Sequence, residues 1–282
     1  MSFPPPHIHP PSTTHTHTAI LLHGRGSNGP EFAEELFSSS TSSGKNLPES
    51  LPHFRWVFPT SRDRWSELFQ EELCAWFDAY SISDITERQE GQLDGLRESV
   101  SYVLGLIERE IEAVGGDSRK VYLGGISQGM ATALWALFCA RGRVKGRLGG
   151  VFGFCGWLPF THEMERAVRE LDDRSERVGR EDVLRAIADY CAGRIGVGEQ
   201  QHGAFSSGEE LEVLMTPVLL GHGTDDEWVS VALGRQAFGV FKSVLTDVEW
   251  KEYVGAERDG HWIKEPEGID YIVDFLQGPV KG

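Results

Sequence analysis

Residues Val121–Gly129 read VYLGGISQG, an apolar run that leads into a G-x-S-x-G pentapeptide. The residues that follow, Met130–Ala140, are mostly apolar or small, which favours a buried helix. A serine on a sharp turn between a strand and a helix has a strained backbone, which small neighbours such as Gly125 and Gly129 tolerate. The stretch therefore predicts a strand, a tight turn and a helix, with the Ser127 hydroxyl beside the positive end of the helix dipole. An ordinary glycine-rich turn is the competing interpretation.

Outward from this stretch, short apolar runs alternate with segments whose apolar residues recur at helical spacing. This alternation is typical of a mostly parallel central sheet with helices on both faces. We therefore predict an α/β fold in a single domain, which a length of 282 residues allows. The predicted strands are Thr18–Leu22, Arg55–Phe58, Val121–Ile126, Leu148–Phe154, Pro217–Leu220 and Val248–Val254. The predicted helices are Leu93–Val114, Gln128–Ala140, Val231–Leu245 and Ile269–Leu276. The Ser/Thr/Gly/Pro segment Ser38–Pro52 predicts a surface loop.

The composition argues against several classes of partner. The chain carries 43 acidic and 27 basic residues, a formal charge of -16, whereas phosphate binding needs clustered Lys and Arg. We therefore expect no nucleic-acid partner. The uncharged stretch Leu148–Thr161 is too short and too rich in Gly to cross a bilayer, and Met1–Pro11 lacks the features of a secretory signal. Four scattered cysteines are typical of reduced thiols, so we expect a cytoplasmic protein without a transmembrane segment.

A serine nucleophile needs a base, and imidazole has a suitable pKa for that role. Seven of the ten histidines lie near the start of the chain or in loops away from strand ends. Of the other three, His23 opens the turn HGRG, His222 ends a predicted strand, and His261 lies between the last predicted strand and helix. Because hydrolases with this serine turn place their triad in the order Ser, acid, His, we predict that His261 is the base. His222 is the alternative, although a histidine that shapes the loop bearing the acid is the preferred interpretation of this residue.

The acid that orients this base is expected in the loop HGTDDE, His222–Glu227, which follows a predicted strand and precedes the base in the chain. Asp226 is the preferred residue. Asp225 and Glu227 remain the alternatives.

The tetrahedral intermediate of acyl transfer carries negative charge on the former carbonyl oxygen, and preorganised N–H donors stabilise it. We expect one donor to be the main-chain N–H of Gln128, directly after the nucleophile. The other is that of Arg25, in the glycine-rich turn His23–Gly26. A plain strand-ending turn is the competing interpretation of that segment.

Several further motifs occur in the order found in one known family. They are H-G-x-G, W-F-D, G-W-L-P, H-G-x-x-D and G-H, at His23–Gly26, Trp76–Asp78, Gly156–Pro159, His222–Asp226 and Gly260–His261. On these motifs and the serine pentapeptide, the chain resembles the phospholipase/carboxylesterase family, which includes the acyl-protein thioesterases. The match covers most of the chain.

The resemblance implies an α/β-hydrolase fold and an enzyme that cleaves carboxylic esters or thioesters, with neither a metal nor an organic cofactor. Its substrate would be a small-molecule or lipid-acyl ester or thioester, with an acylated protein as a further candidate. It places the nucleophile, acid and base at Ser127, Asp226 and His261, and the oxyanion donors at Arg25 and Gln128. It also suggests an acyl pocket lined by Trp76, Trp157 and Leu158, although such apolar residues are equally typical of a core.

The segment 162–212 departs from the family pattern, which crosses between the flanking strands by a much shorter connection. The segment is long and charged, and Arg180–Cys191 has the apolar spacing of an amphipathic helix that ends before Gly193. Because it is too long for a plain connection, we predict that it forms a small helical cap, or lid, over the site and alters substrate choice.

Two other functions remain open. One is a non-catalytic module that binds an acyl ligand on a hydrolase scaffold, and the other is a peptidase or amidase with the same triad. Two weaker patterns favour no further activity. His15 and His17 alternate as metal ligands would, but lack companion Cys or carboxylate residues, and Ser61–Trp65, SRDRW, is more typical of surface ion pairs than of a contact with an acidic substrate.

Overall fold

A seven-stranded, mostly parallel sheet forms the centre of the protein. The computed structural model describes residues 2–67, 69–81, 84–172, 178–197 and 208–278. The strands are β1 His7–His9, β2 His17–Leu22, β3 Phe54–Phe58, β4 Arg62–Ser66, β5 Glu71–Ala75, β6 Val121–Ile126, β7 Gly150–Phe154, β8 Val218–Gly223 and β9 Val248–Tyr253. The sheet has the order β1-β3-β2-β6-β7-β8-β9, in which only β1 is antiparallel to its neighbour. Strands β4 and β5 form a separate antiparallel hairpin.

Helices cover both faces of this sheet. They are α1 Gly29–Ser38, α2 Leu47–Ser50, α3 Gln92–Ala113, α4 Gln128–Cys139, α5 Thr161–Asp172, α6 Arg180–Ile195, α7 Val231–Val244 and α8 Glu267–Gln277. Successive strand residues point to opposite faces. Ile20 and Leu22 therefore pack with α3 to α7, whereas Ala19 and Leu21 pack with α1, α2 and α8. These two buried clusters confirm the prediction of an α/β fold with helices on both faces.

The predicted strands and helices are all present, and their ends are shifted by no more than three residues except in α6. The prediction that α6 ends before Gly193 was wrong: the helix continues to Ile195, and the glycine that ends it in a left-handed conformation, with φ 63°, is Gly196. Strand β7 begins at Gly150 because the Leu148 N–H donates to the Thr216 hydroxyl at 3.0 Å rather than to a neighbouring strand. Strand β8 continues through Gly221–Gly223, which pair with Lys251–Tyr253 of β9. Glycine is a poor strand former, so the sequence predicted an earlier end there, and the ladder with β9 overrides that preference.

The sequence analysis did not predict β1, α1, α2, α5 or the β4–β5 hairpin. Helix α1 begins after Asn28, whose side chain accepts the Glu31 N–H at 3.0 Å, and this cap was its sequence signal. The hairpin strands are largely polar, so no apolar periodicity marks them. Its Arg62 and Arg64 pair with Glu98 of α3 at 2.9 and 2.7 Å, in agreement with the predicted ion-pair role of this segment.

The segment Ser38–Pro52 is more ordered than predicted. The Asn46 side chain accepts the Glu49 N–H at 2.9 Å, and the Glu49 carboxylate accepts the Asn46 N–H at 3.1 Å, which caps α2. Leu47 and Leu51 are both fully buried. The prediction of a plain surface loop was wrong here, because two leucines among the polar residues anchor the segment in the core.

The described parts of segment 162–212 lie in one helical layer beside the sheet. Helices α5 and α6 pack against each other, and α6 also contacts α3, α4 and α7. Leu184, Ile187 and Cys191 of α6 are buried in the core that α4 shares. Residues 173–177 and 198–207 lie outside the described residues. A cap over the site therefore stays a prediction.

The four cysteines are free thiols, as their scattered spacing predicted. Within the described ranges, no helix combines the length and apolar character that a bilayer crossing requires.

Candidate active site

Ser127 lies on the turn that joins β6 to α4. Its backbone has φ 55° and ψ -123°, a sparsely populated conformation that persists only where the surrounding structure holds it. Its N–H donates to the Phe154 carbonyl at 2.9 Å, which ties the turn to β7. A Cβ on Gly125 would lie 2.6 Å from the carbonyl carbon of Gly129, and one on Gly129 would lie 2.1 Å from the carbonyl oxygen of Leu22. Both glycines of the pentapeptide are therefore required by close backbone contacts.

His261 and Asp226 form a hydrogen-bonded pair. His261 lies in the loop between β9 and α8, and its Nδ1 donates to Asp226 Oδ2 at 2.7 Å. The Asp226 side chain is fully buried, whereas that of His261 is 19% exposed. Asp225, an alternative acid, instead accepts the Gly255 N–H at 2.8 Å, and Glu227 is exposed. Asp226 is therefore the member of this loop whose carboxylate contacts the imidazole.

The Asp226 carboxylate is surrounded by hydrogen-bond donors. Its Oδ1 accepts the N–H groups of Trp228 at 2.9 Å and Val229 at 2.8 Å. The Nε2 atom of His222 lies 3.2 Å from Oδ2, the oxygen that His261 also contacts. Burial by itself raises the pKa of the Asp226 carboxyl, but the hydrogen bonds from His222 and His261 outweigh it and hold that pKa below its ordinary value. Asp226 is therefore ionised at neutral pH.

Ser127 and His261 line one cavity of about 460 Å³. The cavity lies at the carboxyl ends of the parallel strands, where α/β sheets commonly bind ligands. Its walls also include the predicted site residues Arg25, Gln128 and Trp157. No described residue of segment 162–212 lines it. The structure thus brings the nucleophile, base and oxyanion candidates of the sequence prediction to one place.

Two main-chain N–H groups in the cavity wall are the candidates for an oxyanion hole. That of Gln128 is the first of α4, and the first N–H groups of a helix have no partner within it. The turn that carries Arg25 passes beside the nucleophile, since a Cβ on Gly24 would lie 3.5 Å from Ser127 Cβ. Among the described residues, neither N–H has a hydrogen-bond acceptor. Both are therefore available to a substrate oxygen.

The Gln128 side chain supports this region from behind. Its Oε1 accepts the Trp76 N–H at 2.9 Å, and its Nε2 donates to the Phe77 carbonyl at 2.7 Å. The Trp76 indole in turn donates to the His23 carbonyl at 2.8 Å. Trp76 and Phe77 thereby link the turn that carries the Gln128 N–H to the turn that carries the Arg25 N–H. Sequence reasoning missed this chain of bonds, although a buried Gln among apolar helix residues was an available signal.

The His23 imidazole fixes the peptide group whose N–H belongs to Arg25. Its Nδ1 donates to the Gly24 carbonyl at 2.6 Å, and its Nε2 accepts the Ser61 N–H at 3.0 Å. Burial lowers the pKa of His23 to about 4, so the ring is neutral at neutral pH. Because the Gly24 carbonyl and the Arg25 N–H belong to one planar unit, the same bond orients the Arg25 donor.

The resemblance assigned three apolar residues to an acyl pocket, and the structure separates them. Trp157 lines the cavity. Trp76 and Leu158 are 0% and 1% exposed and belong to the core, without lining the cavity. The side chains of Trp76 and Leu158 therefore contact the core, as the alternative interpretation of these residues expected.

Within the described ranges, one group of side chains has the spacing of a metal site, and it overlaps the imidazole–carboxylate pair. Ligand atoms of Cys155, Asp226 and His261 lie within 4.8 Å of one another. Burial raises the pKa of the Cys155 thiol to about 12, which disfavours the thiolate that metals bind. The arrangement therefore favours acid–base chemistry over metal binding. His15 and His17, the weaker metal candidates, contact threonine hydroxyls instead.

Sequence comparison finds relatives among acyl-protein thioesterases and carboxylesterases. The profile of a family described as phospholipase/carboxylesterase matches residues 4–174. Acyl-protein thioesterase 1 of Schizosaccharomyces pombe is 30% identical over 166 residues, which cover 57% of this chain and 66% of that relative. Acyl-protein thioesterase 1 of Gibberella zeae is 25% identical over 277 residues, which cover 96% of this chain and 94% of that relative. Carboxylesterase SOBER1 of Arabidopsis thaliana is 25% identical over 274 residues, with 93% and 90% covered.

Solved structures share the fold along nearly the whole chain. The crystal structure of Zea mays acyl-protein thioesterase 2 matches with a TM-score of 0.64 and 26% identity, covering 96% of this chain and 97% of that one. Esterase PE8 matches with a TM-score of 0.62 and 20% identity, covering 97% of both chains. The predicted α/β-hydrolase fold is confirmed.

Proposed function

Because the chain belongs to the phospholipase/carboxylesterase family, as its motifs predicted, we propose that Ser127, His261 and Asp226 form its catalytic triad. The chain is a serine hydrolase of carboxylic esters or thioesters. One observation carries the triad assignment: the 2.7 Å hydrogen bond from His261 to a buried Asp226, in a site where His261 shares a cavity with the strained Ser127.

In the first half of the reaction, the Ser127 hydroxyl oxygen attacks the acyl carbonyl carbon while Nε2 of His261 takes its proton. Asp226 stabilises the resulting imidazolium through Nδ1. The N–H groups of Gln128 and Arg25 donate to the negatively charged oxygen of the intermediate, and the loss of one such donor typically costs about 3 kcal/mol. The bond to the alcohol oxygen or thiol sulfur then breaks, and His261 gives its proton to that leaving group.

In the second half, water takes the place of the leaving group. His261 removes a proton from water as its oxygen attacks the carbonyl carbon of the acyl-serine. The same two N–H donors stabilise the second tetrahedral intermediate. The bond to Ser127 Oγ then breaks, His261 returns the proton to the serine, and a carboxylic acid leaves.

An acyl thioester or ester of a lipid or small molecule is the proposed substrate class, with an acylated protein as the finer candidate. Support comes from the relatives named acyl-protein thioesterase and carboxylesterase and from the indole of Trp157 in the cavity wall, an apolar surface suited to an acyl chain. The hydrolytic mechanism requires neither a metal nor an organic cofactor, since these side chains and water supply every group that reacts.

Covalent labelling tests the nucleophile. We expect a fluorophosphonate probe to label the native protein and to leave Ser127→Ala unlabelled. The matched control is Ser27→Ala, because Ser27 lines the same cavity and has no assigned role, so this variant should label as the native protein does. A folded native protein that stays unlabelled would favour the alternative of a binding module without turnover.

A substrate panel tests the bond that is cleaved. Matched acyl chains would be presented as p-nitrophenyl esters, thioesters, lysophospholipids and anilides, and kcat/KM would be measured for each. We expect turnover of the esters and thioesters. A preference for anilides would instead support the peptidase or amidase alternative, which uses the same triad on a harder bond.

A further inference from the structure

A second imidazole lies against the carboxylate of the proposed triad. His222 is the fifth residue of β8, four residues before Asp226, and it is 0% exposed. Its Nε2 lies 2.9 Å from the Val229 carbonyl oxygen and 3.2 Å from Asp226 Oδ2. His261 contacts the same Oδ2, at 2.7 Å. One carboxylate oxygen therefore faces two histidines.

The surroundings of His222 determine which of its nitrogens carries the proton. Nε2 faces two acceptors, a carbonyl and a carboxylate, so it must be the donor. Nδ1 is buried and has no hydrogen-bond partner among the described residues, and a buried N–H without an acceptor is costly. A Cβ on Gly234 of α7 would lie only 2.4 Å from Nδ1, so the ring edge packs directly on that glycine. A ring with its single proton on Nε2 satisfies the two acceptors near Nε2 and leaves no unpaired N–H at Nδ1.

We infer that His222 is a positioning residue of the active site. Its Nε2–H donates to the same oxygen of Asp226, Oδ2, as the Nδ1–H of His261, and this weakens the stabilisation that Asp226 gives to the imidazolium form of His261. The inference rests on the proposed triad. His222 does not line the cavity, so it acts through Asp226 and not on the substrate.

The sharing has a definite consequence for the pH dependence of the reaction. A hydrogen bond from His222 spreads the negative charge of Asp226 over a second donor. Without that donor, more of the charge acts on His261, which favours its protonated form. The base is active only when deprotonated, so the acid limb of the kcat/KM profile should move to higher pH. A typical hydrogen bond corresponds to a shift of about 0.5 to 1 pH unit.

The ionisable groups near His222 do not obscure the expected shift of the acid limb of kcat/KM. They are Cys155 after β7, Glu252 and Tyr253 of β9, Asp225 of the acid loop, and Arg258 and Asp259 of the base loop. Burial raises the pKa of Cys155 to about 12 and that of Tyr253 well above its ordinary value, so both stay neutral from pH 5 to 9. The hydrogen bond from Arg235 of α7 lowers the pKa of Glu252 to about 2, so it stays ionised. The other three are the same in the native protein and in the variants.

Two substitutions separate positioning from mere packing. His222→Leu removes the donor, whereas His222→Gln keeps an amide N–H near the position of Nε2. We expect the acid limb of kcat/KM to move to higher pH in His222→Leu and to stay near its native position in His222→Gln. Because His222 does not touch the substrate, the loss in His222→Leu should appear in kcat on the acid side of the profile, while KM stays within about twofold of the native value.

A third variant and a spectroscopic measurement cover the case in which His222→Leu does not fold. His222→Asn is polar but places its amide near Nδ1, so it should lose the contact with Asp226 and shift the limb as the Leu variant does. In proton NMR, the low-field signal of the His261 Nδ1 proton should move further downfield in the shifted variants. Folded variants whose limb and signal coincide with those of the native protein would overturn the inference, as would equal losses at every pH. If the native protein is neither labelled nor active, the triad itself fails instead.

Discussion

At the scale of the residue, the buried His23 imidazole should make stability depend on pH. Its pKa is about 4 in the folded chain, because of burial, against 6.5 for the ordinary group. Above pH 6.5 the ring is neutral in both states, so it contributes no pH dependence. Between pH 6.5 and about 4, the unfolded chain binds the proton first, so unfolding becomes easier as the pH falls. The difference between the two pKa values corresponds to roughly 3 kcal/mol over this window.

We therefore predict that His23→Gln flattens the fall in the free energy of unfolding between pH 6.5 and 4. Urea denaturation of the native protein and the variant at several pH values measures this slope. His7→Gln, at an exposed histidine, is the matched control and should keep the native slope. Asp226 does not interfere, because a carboxyl with a lowered pKa loses its stabilising contribution only below its ordinary value of 3.8. Equal slopes in all three proteins would contradict the prediction.

Single residues also show where sequence reasoning reached its limit. Ser127, Asp226 and His261 could be proposed from the sequence because each lies in a short motif and the three follow a known chain order. The contact of His222 with Asp226 was not predicted, since it depends on how β8 pairs with β9 and how closely α7 approaches. Which of the two aspartates contacts the imidazole likewise could not be read from the sequence: Asp226 accepts from His261 at 2.7 Å, whereas Asp225 accepts from Gly255 at 2.8 Å.

At the scale of the element, two glycines of α7 allow a matched test of how tightly this helix packs on the acid loop. A Cβ on Gly234 would lie 2.4 Å from Nδ1 of His222 and 2.8 Å from the ring of Trp250, whereas a Cβ on Gly239 would meet nothing within 4 Å. Both Gly→Ala changes gain helix propensity, about 1 kcal/mol. Only Gly234→Ala overpacks the interior, at a typical cost of about 1 to 3 kcal/mol.

We therefore predict that Gly239→Ala raises the free energy of unfolding and that Gly234→Ala is less stable than Gly239→Ala by about 1 to 3 kcal/mol. Urea denaturation of the two variants beside the native protein measures the difference. If both variants were stabilised equally, helix α7 would lie further from β8 than the structure places it.

The predicted cap calls for a test that leaves the helical layer intact. Helix α6 buries Leu184 and Ile187 against the core, so deletion of the whole segment 162–212 would confound specificity with stability. If segment 162–212 forms the cap that its sequence predicts, replacing residues 198–207, which lie outside α5 and α6, by a Gly/Ser sequence of equal length should change the relative kcat/KM values for short and long acyl esters.

The complementary variant is Leu184→Ala, which removes a fully buried side chain. It should lower the free energy of unfolding by about 2 to 5 kcal/mol and keep the native order of acyl-chain preference. An unchanged acyl-chain preference in the Gly/Ser variant would contradict the cap hypothesis.

Elements also differ in how far the sequence could predict them. The apolar strands β2, β6, β7 and β8 were predicted because both of their faces are buried, which leaves continuous apolar runs. The β4–β5 hairpin lies outside the main sheet and consists largely of polar residues. No apolar periodicity marks such a hairpin, so only the three-dimensional pairing reveals it.

At the scale of the whole molecule, the formal charge of -16 should discriminate among substrates of the same acyl chain. The charged residues of the cavity wall do not offset this field, since Glu35, Glu71 and Asp259 outnumber its two arginines, Arg25 and Arg258. A substrate with an anionic leaving group is therefore repelled at long range, and salt screens that repulsion, because the Debye length falls from about 30 Å at 0.01 M to about 10 Å at 0.1 M. We predict that kcat/KM for an acyl thioester of an anionic thiol rises about 2- to 10-fold between 0.01 and 0.2 M NaCl. The thioester of a neutral thiol with the same acyl chain is the control and should change little. Equal salt dependence of the two substrates would show that the cavity, and not the overall charge, governs their approach.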